Sequence, residues 1–89
     1  PSDRRRMSLT VRTLFFASYR DLAGTPELPV ELEEGARVQD LVRTLRERGG
    51  GLSELPEAPA VAVNRRYAPL SRPLAQDDEV AFIPPVAGG

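Results

Sequence analysis

Stretches in which apolar and polar residues alternate predict most of the secondary structure of this 89-residue chain. Residues 9–17 alternate with a period of two and are rich in aromatic and β-branched side chains, which is typical of a strand. Residues 28–32 alternate in the same way, and Pro29, which lacks an amide donor, favours an edge position for that second strand. The two faces of the first strand are made of alternate residues: Val11, Thr13 and Phe15 on one, and Arg12, Leu14 and Phe16 on the other.

One segment, residues 38–48, has the period of a helix. Its apolar residues follow the spacing i, i+3, i+4 and i+7 and form one stripe, which we expect in the core: Val38, Leu41, Val42 and Leu45. The three glycines that follow are predicted to end the helix, with Gly49 or Gly50 in the left-handed conformation. Arg43 and Glu47 are expected to pair on the outer face. Arg37 before the helix offers no side-chain cap.

The remaining segments predict a small α+β domain. Residues 60–64 and 79–84 are expected to be strands, residues 64–66 a turn into a short strand, and residues 52–59 a loop. Residues 18–23 are too short for a confident helix. The order strand, strand, helix, strand, short strand, strand predicts a β-grasp fold. In it, a mixed sheet of four to five strands packs one main helix on one face, with the first and last strands side by side in the middle.

Composition excludes several classes of function. The chain has no cysteine and no histidine, so disulfides, thiol or histidine catalysis and the usual zinc sites are absent. A net charge of −1 offers no basic surplus for nucleic acid, and no apolar run approaches the length of a membrane span. All twelve cationic residues are arginine, so the chain has no lysine that could accept an acyl group. An enzyme that acts alone and a metal site are therefore not expected.

The two ends of the chain are expected to lie outside the folded domain. Met7 looks like a natural start, so we interpret residues 1–6 as an upstream extension or cloning remnant, residues 7–84 as the domain and residues 85–89 as a flexible tail. Arginines 4–6 are not followed by an apolar segment of the kind that secretion signals have, so a cytoplasmic location is expected by default.

The last residues carry the chemistry that the sequence suggests. Pro84 and Pro85 fix φ and stiffen the exit from the domain. The final glycines have no Cβ, so they could enter a channel too narrow for other residues. Residues 85–89, if extended, reach roughly 17 Å, far enough to enter the active site of another protein. The Gly89 carboxylate is unreactive until another molecule activates it.

At residues 14–17, 63–64 and above all 78–89, the sequence resembles the small subunit of molybdopterin synthase, the MoaD-type ubiquitin-like sulfur carrier. The resemblance covers residues 9–89, and the diglycine ending after Phe-Ile-Pro-Pro-Val-Ala is its specific part. The family commonly has Asp-Gly-Asp before the last strand where this chain has Gln76-Asp77-Asp78. Aspartate tolerates a left-handed turn better than most residues, so the turn is expected to survive this difference.

The resemblance implies a mechanism in which this chain carries sulfur and has no active site of its own. A ubiquitin-activating-like adenylating enzyme uses ATP to join the Gly89 carboxylate to AMP, and a sulfur donor protein then converts the adenylate to a thiocarboxylate. Residues Pro85, Val86, Ala87 and Gly88 insert into the large synthase subunit, where the sulfur passes to cyclic pyranopterin monophosphate. A heterotetramer with the large subunit is expected, without bound cofactor, nucleic acid or membrane.

The resemblance also implies a docking surface made of Phe16, Tyr67 and Ile83. If the first and last strands are neighbours, Phe16 and Ile83 share the face opposite the helix, whereas Phe15 and Phe82 belong to the core. Other readings stay open: a sulfur carrier for cysteine, thiazole or tungsten-cofactor synthesis, a ubiquitin-like modifier of lysines, or an interaction module with an inert tail. Without a partner, we expect no fixed structure beyond about Val86.

Overall fold

A computed structural model describes residues 8–85 of the chain. The elements follow one another as β1 (Ser8–Phe15), α1 (Ala17–Ala23), β2 (Glu27–Glu33), α2 (Val38–Glu47), a 3₁₀ helix (Gly50–Glu54), β3 (Ala60–Val63), β4 (Arg66–Ala68) and β5 (Glu79–Ile83). The predictions for residues 1–6 and for residues 86–89 lie outside the described residues. No helix within residues 8–85 is long and apolar enough to cross a lipid bilayer.

The five strands form one mixed sheet in the order β2-β1-β5-β3-β4. The first and last strands, β1 and β5, lie side by side in its middle and run parallel, with Phe15 opposite Phe82. The other neighbours are antiparallel, and β2, which contains Pro29, is an edge strand. This arrangement confirms the predicted α+β, β-grasp fold with its central pair of strands.

The core lies between one face of the sheet and α2. The apolar stripe of α2 is fully buried, as predicted, and packs in one cluster with the inward residues of the strands. Phe15 and Phe82 are the largest of these, with ring centroids 5.6 Å apart. Thr13 is the buried polar side chain of this layer, and its hydroxyl donates a hydrogen bond to the Leu28 carbonyl, so its burial leaves no donor unsatisfied.

Two helical segments differ from the sequence-based expectation. Residues 17–23 form a helix, α1, whose Tyr19 is buried and whose end is capped by Gly24 at φ +77°. The predicted loop at residues 52–59 begins instead inside a 3₁₀ helix that buries Leu52. In both segments a few apolar side chains reach the core although neither shows a full helical period.

The start of α2 has a cap that the sequence analysis missed. The Arg37 backbone N–H donates to Asp40 Oδ2 at 2.8 Å, so the carboxylate satisfies a backbone donor that has no partner within the helix. Arg43 pairs with Asp40 at 2.7 Å, and the predicted pair with Glu47 is wrong. Asp40 lies one turn before Arg43, so its two carboxylate oxygens can accept the hydrogen bond from the Arg37 N–H and pair with Arg43 at the same time. After the helix, Gly49 and Gly50 have positive φ. Gly49 is at ψ −162°, outside the left-handed helical region, and the residue at the end of the helix, Arg48, keeps right-handed angles, so a left-handed cap at Gly49 is wrong.

Candidate functional site

One face of the sheet packs against α2, and the side chains that alternate to the other face form the candidate site. The register places an apolar row across four strands in the middle of that face. Leu14 of β1 lies opposite Ala81 of β5, Ala81 opposite Ala62 of β3, and Ala62 opposite Tyr67 of β4. Two small alanines between larger side chains give this row a shallow floor, against which a partner's side chains can pack.

A second group of apolar residues continues the row towards the end where β1 and β5 finish. Phe16 follows β1 with extended backbone angles, φ −118° and ψ 150°, so its side chain continues the alternation on the side of Leu14. Ile83 lies opposite Ala60 and is half-buried. We call the whole set the open apolar face: Leu14, Phe16, Ala60, Ala62, Tyr67, Ala81 and Ile83.

The exposure of two aromatic residues distinguishes this face from ordinary core. Phe16 is 49% exposed and Tyr67 is 76% exposed, and these are the exposed large apolar side chains among residues 8–85. Two exposed aromatic rings on a single sheet face are typical of a protein-docking surface, because aromatic side chains contribute much of the binding energy at interfaces. The sequence prediction placed Phe16, Ile83 and Tyr67 together, and the geometry brings them to one face. Their role in binding stays a prediction.

The open apolar face has a polar boundary on its far side. Arg12 of β1 lies opposite Glu79 of β5, and the two side chains form an ion pair at 3.1 Å. A second carboxylate, that of Glu27 on β2, lies 3.6 Å from the same guanidinium. Such exposed pairs add little stability. They do confine the apolar surface to the half of the sheet where β1 and β5 end.

The chain leaves the sheet at that same end. β5 finishes at Ile83, Pro84 is half-buried and Pro85 is exposed. Two consecutive prolines restrict the direction of the chain as it departs from the open apolar face. The other predicted tail residues, Val86 to Gly89, lie outside the described residues.

The candidate site is an apolar surface that carries two exposed aromatic side chains. Residues 8–85 contain no cluster of three or more acidic side chains placed to hold a metal ion. A groove of about 510 Å³ between β2 and α2 is lined mainly by polar side chains, and it lies away from the open apolar face. The arrangement can dock a protein and present the segment that follows Pro85.

Four members of the face were not singled out from the sequence: Leu14, Ala60, Ala62 and Ala81. Alternation alone put Leu14 with Phe16 and Ala81 with Ile83. What it could not supply was the pairing of β3 with β5, which brings Ala62 between Ala81 and Tyr67. Alanine also gives a weak signal in sequence, because it is common in cores, helices and interfaces alike.

The model of the ThiS family matches residues 13–89. The chain is 40% identical over 82 residues to the molybdopterin synthase sulfur carrier subunit of Mycobacterium tuberculosis. The aligned region covers 91% of this chain and 99% of that protein. Among solved structures, a putative molybdopterin converting factor subunit 1 from Pyrococcus furiosus superposes with a TM-score of 0.77 at 36% identity. That likeness covers 88% of this chain and 99% of the other.

Two further structures share the fold. The small archaeal modifier protein 1 of Methanosarcina acetivorans has a TM-score of 0.75 at 27% identity, over 92% of this chain and 98% of its own. A complex of subunits 1 and 2 of the Helicobacter pylori molybdopterin-converting factor has a TM-score of 0.64 at 24% identity, over 91% of this chain and 100% of the matched one. From its fold, its family match and its sequence relatives, the chain belongs to the ThiS family, among the ubiquitin-like MoaD-type small subunits of molybdopterin synthase.

Proposed function

We propose that this chain is the sulfur carrier subunit of a molybdopterin synthase and that Gly89 is the residue that carries the sulfur. The observation that carries the proposal is the position of the open apolar face at the end of the sheet where the chain departs through Pro84 and Pro85. A partner that covers this face is thereby next to the segment that leads to Gly88 and Gly89. The family match, which extends through residue 89, supports the same role for these residues.

The proposed chemistry begins at the Gly89 carboxylate. In an adenylating partner that binds ATP, the carboxylate attacks the α-phosphorus, pyrophosphate leaves, and an acyl adenylate forms. The terminal sulfur of a persulfide on a sulfur donor protein then attacks the acyl carbon and AMP leaves, so a C–S bond replaces the C–O bond. A thiol reduces the S–S bond that still joins the two proteins and becomes part of a disulfide, and the chain ends in a thiocarboxylate. The residues of this chain supply the carrier end, and the catalytic groups and the nucleotide site belong to the partners.

The second half of the proposed reaction takes place in the large subunit. There the thiocarboxylate sulfur passes to cyclic pyranopterin monophosphate, and two such transfers build the dithiolene of molybdopterin. Pro85, Val86, Ala87 and Gly88 would occupy the channel that leads to the substrate. The likeness to molybdopterin synthase sulfur carrier subunits supports this partner, and we expect two small and two large subunits in the assembly.

A preformed docking face has an energetic use in this scheme. Ordering the backbone of residues 86–89 costs roughly 1–2 kcal/mol per residue, and two glycines contribute few side-chain contacts in return. Burial of apolar surface returns about 25 cal/mol per Å². Phe16, Tyr67 and Ile83, held on a rigid sheet, can therefore supply binding energy that offsets the cost of ordering the tail.

Intact mass spectrometry tests the proposal directly. The chain is incubated with ATP, a competent adenylating enzyme and a sulfur source, and then analysed whole and as fragments. We expect a mass gain equal to the exchange of one oxygen for sulfur, localised to Gly89, and no gain in a variant that lacks Gly89. An unchanged mass beside a positive control carrier would contradict the thiocarboxylate mechanism.

A second candidate function, that of a protein modifier, is favoured by the likeness to the small archaeal modifier protein. In that role the activated Gly89 carboxylate would form an amide with lysine side chains of other proteins. The chain itself contains no lysine, so it could not be extended into chains of its own copies through lysine. Adducts that resist reducing agents and disappear when Gly88 and Gly89 are deleted would favour this function. Carriers for other pathways would be recognised by which large subunit binds.

A further inference from the structure

The turn between β3 and β4 holds an arginine in a backbone conformation that favours glycine. Asn64 and Arg65 form a two-residue hairpin loop, and φ is +52° at Asn64 and +72° at Arg65. Hairpin loops with positive φ at both positions strongly prefer Asn-Gly, because a Cβ at the second position is strained. Strain at an exposed position is a reason to look for a function of the side chain.

The turn is held in place by its first residue. Asn64 Nδ2 donates to Asp78 Oδ1 at 2.9 Å, and the Glu79 backbone N–H donates to Asn64 Oδ1 at 3.0 Å. These bonds tie the tip of the hairpin to the start of the central strand β5. The backbone of Arg65 therefore has a fixed position relative to the sheet, which lowers the entropic cost of using its side chain in recognition.

Two further arginines lie close to this turn. Arg66 of β4 and Arg72 of the following loop line one groove of about 350 Å³, together with Asn64 and Tyr67. We call Arg65, Arg66 and Arg72 the basic rim. Within residues 8–85 no carboxylate lies within ion-pair distance of these three side chains. Three arginines of the domain have carboxylate partners at 2.7–3.5 Å, namely Arg12, Arg43 and Arg46, whereas Arg20 and Arg48 lack one among residues 8–85, as the rim does.

Tyr67 belongs to the open apolar face and also lines the groove of Arg66 and Arg72. Arg66 lies opposite the core residue Val63, so it alternates to the α2 side of the sheet, and the basic rim borders the open apolar face from around the sheet edge. It lies at the β4 edge of the sheet. The opposite edge, β2, carries acidic residues: Glu27, Glu31 and Glu33. Charge is thus separated across the sheet, although the net charge of the chain is only −1.

We propose that the basic rim binds an acidic patch on the protein that covers the open apolar face, which under the proposed function is the large synthase subunit. The inference rests on that function and adds the partner's chemistry: an apolar centre, with Asp or Glu side chains opposite the β4 edge. Opposite charges at the border of an apolar contact speed association and fix the orientation of the two proteins. A low net charge and the apolar neighbour favour a protein over nucleic acid as the partner.

The arginines could instead protect the edge of β4 from pairing with another copy of the sheet, since charged residues on edge strands have that effect. Arg65 separates the two roles because it lies in the turn and not in the strand. Replacing it leaves the edge charge of Arg66 in place. Under edge protection, the triple variant would self-associate, whereas Arg65→Gly would stay monomeric and bind as the wild type does.

The test measures binding of the full chain to the large subunit by stopped-flow or surface kinetics, at about 0.1 M and about 1 M salt. The variants are Arg65→Gly, Arg65→Lys and the triple change Arg65→Gly, Arg66→Ser and Arg72→Ser. Matched controls for Arg65→Gly are Arg20→Ser on α1 and Arg48→Ser after α2, two exposed arginines each of whose loss removes one positive charge. Their double variant removes two of the three charges that the triple variant removes. Light scattering of each variant reports self-association.

We expect Arg65→Gly to raise the melting temperature by about 4–8 °C, because strain is relieved, and yet to weaken binding about threefold. The affinity of the triple variant for the large subunit is expected to fall about tenfold or more at low salt, mainly through a slower association rate. The loss should shrink at 1 M salt, where the Debye length falls from about 10 Å to about 3 Å. Arg65→Lys should bind nearly as the wild type, and the controls should change binding less than about twofold.

Several outcomes overturn the inference. They are a triple variant that binds as the wild type, a loss that does not depend on salt, equal losses in the controls, or self-association of the triple variant together with wild-type binding by Arg65→Gly. A wild-type chain that does not bind the large subunit overturns the proposed function as well. Wild-type binding with an unaffected triple variant overturns the inference alone.

Discussion

At the scale of single residues, three side chains between β3 and β5 show how polar groups replace glycine in tight turns. Asp77 has φ +69°, a conformation in which the family commonly has glycine, so the prediction that aspartate would tolerate this turn is confirmed. Asp78 Oδ2 accepts from the Ala75 backbone N–H at 2.8 Å, while its other oxygen accepts from Asn64. One carboxylate therefore joins the turn before β5 to the β3–β4 hairpin.

Asp40 is the ionisable group whose environment changes its acidity most clearly among the described residues. The hydrogen bond from the Arg37 backbone N–H, and then the bond from the Arg43 side chain, lower the pKa of Asp40 below its ordinary value of 3.8. A carboxylate in the first turn of a helix also interacts favourably with the helix dipole. Its charged form is thus bound more tightly in the folded state than in the unfolded state.

We predict that Asp40→Asn lowers the free energy of unfolding by about 0.5–1 kcal/mol at pH 7, since the cap and the ion pair are weakened. Because the folded pKa is the lower one, the unfolded chain binds more protons, and stability rises with pH through this range. The contribution is complete above about pH 5 and is lost as pH falls through 3.8 and below. Urea unfolding at pH 7 and near pH 2 measures the difference between wild type and variant.

The control for this prediction is Glu47→Gln, at the other end of α2, which removes the same charge from a residue without an ion pair in the described part of the chain. It should change stability by less than about 0.5 kcal/mol. A difference between wild type and Asp40→Asn that stays the same at pH 2 would show that the carboxylate charge is not the cause.

At the scale of elements, the parts that sequence reasoning missed are those held by close approach rather than by periodicity. The helix α2 could be predicted because four apolar residues between Val38 and Leu45 repeat at helical spacing. α1 buries only Tyr19 completely, and the 3₁₀ helix follows a run of glycines that reads as a stop signal. Neither segment carries enough local information, because each is stabilised mainly by the other and by the core.

The contact between α1 and the 3₁₀ helix depends on one glycine. A Cβ built on Gly51 would lie 2.2 Å from the Leu22 carbonyl oxygen and 3.0 Å from its carbon. Both are backbone atoms, which cannot rotate away as a side chain can. The missing side chain of Gly51 thus allows the two segments to touch, and this is what brings Leu52 and Leu55 into the core.

We predict that Gly51→Ala lowers the free energy of unfolding by about 2–3 kcal/mol. The direction of this change distinguishes a steric clash from helix propensity, because propensity alone favours alanine over glycine by about 1 kcal/mol and would raise the free energy of unfolding. Gly24→Ala is the control: φ is +77° there and no atom lies within 4 Å of the added Cβ, so only left-handed strain of about 1 kcal/mol is expected. Denaturant unfolding of both variants measures the two changes. If Gly51→Ala lowers the free energy of unfolding less than Gly24→Ala does, close packing of Gly51 against Leu22 is not what holds the two segments together.

At the scale of the whole molecule, the sheet separates two apolar surfaces with different tasks. The face towards α2 is sealed and supplies stability, whereas the open apolar face lies where the chain departs through Pro84 and Pro85. The alternation of adjacent residues makes this division: Phe15 is 1% exposed and packs on Phe82, and Phe16 is 49% exposed on the other face. A two-residue period is enough to build both surfaces from one strand.

The alternation of side chains along the first strand was enough to predict which residues face the core and which face outward. It placed Phe15 in the core and Phe16 on the outer face, and the order of elements predicted that β1 and β5 are neighbours. It could not give the register of β4 on β3, which places Tyr67 beside Ala62, because pairing depends on the turn at Asn64 and Arg65. From the sequence, Arg65 and Arg66 were assigned to a solvated turn in preference to contact with an acidic partner. Arg72 could not be placed beside them, since it approaches them only through that turn and the loop before β5.

The division between the two surfaces predicts opposite effects for substitutions at neighbouring positions. Phe16→Ser should leave the free energy of unfolding within about 0.5 kcal/mol of the wild type, because the ring is half exposed and lies outside the core. It should weaken binding to the large subunit about 10–100-fold, as loss of an aromatic anchor does at interfaces. Phe15→Leu should do the reverse: lower stability by about 1–2 kcal/mol and leave the affinity of the folded chain nearly unchanged.

Calorimetric titration at a temperature where both variants are folded, with thermal unfolding of each, measures the affinity and the stability. Equal affinity of Phe16→Ser and wild type would show that the open apolar face does not dock the large subunit, and a parallel loss of stability would place Phe16 in the core after all.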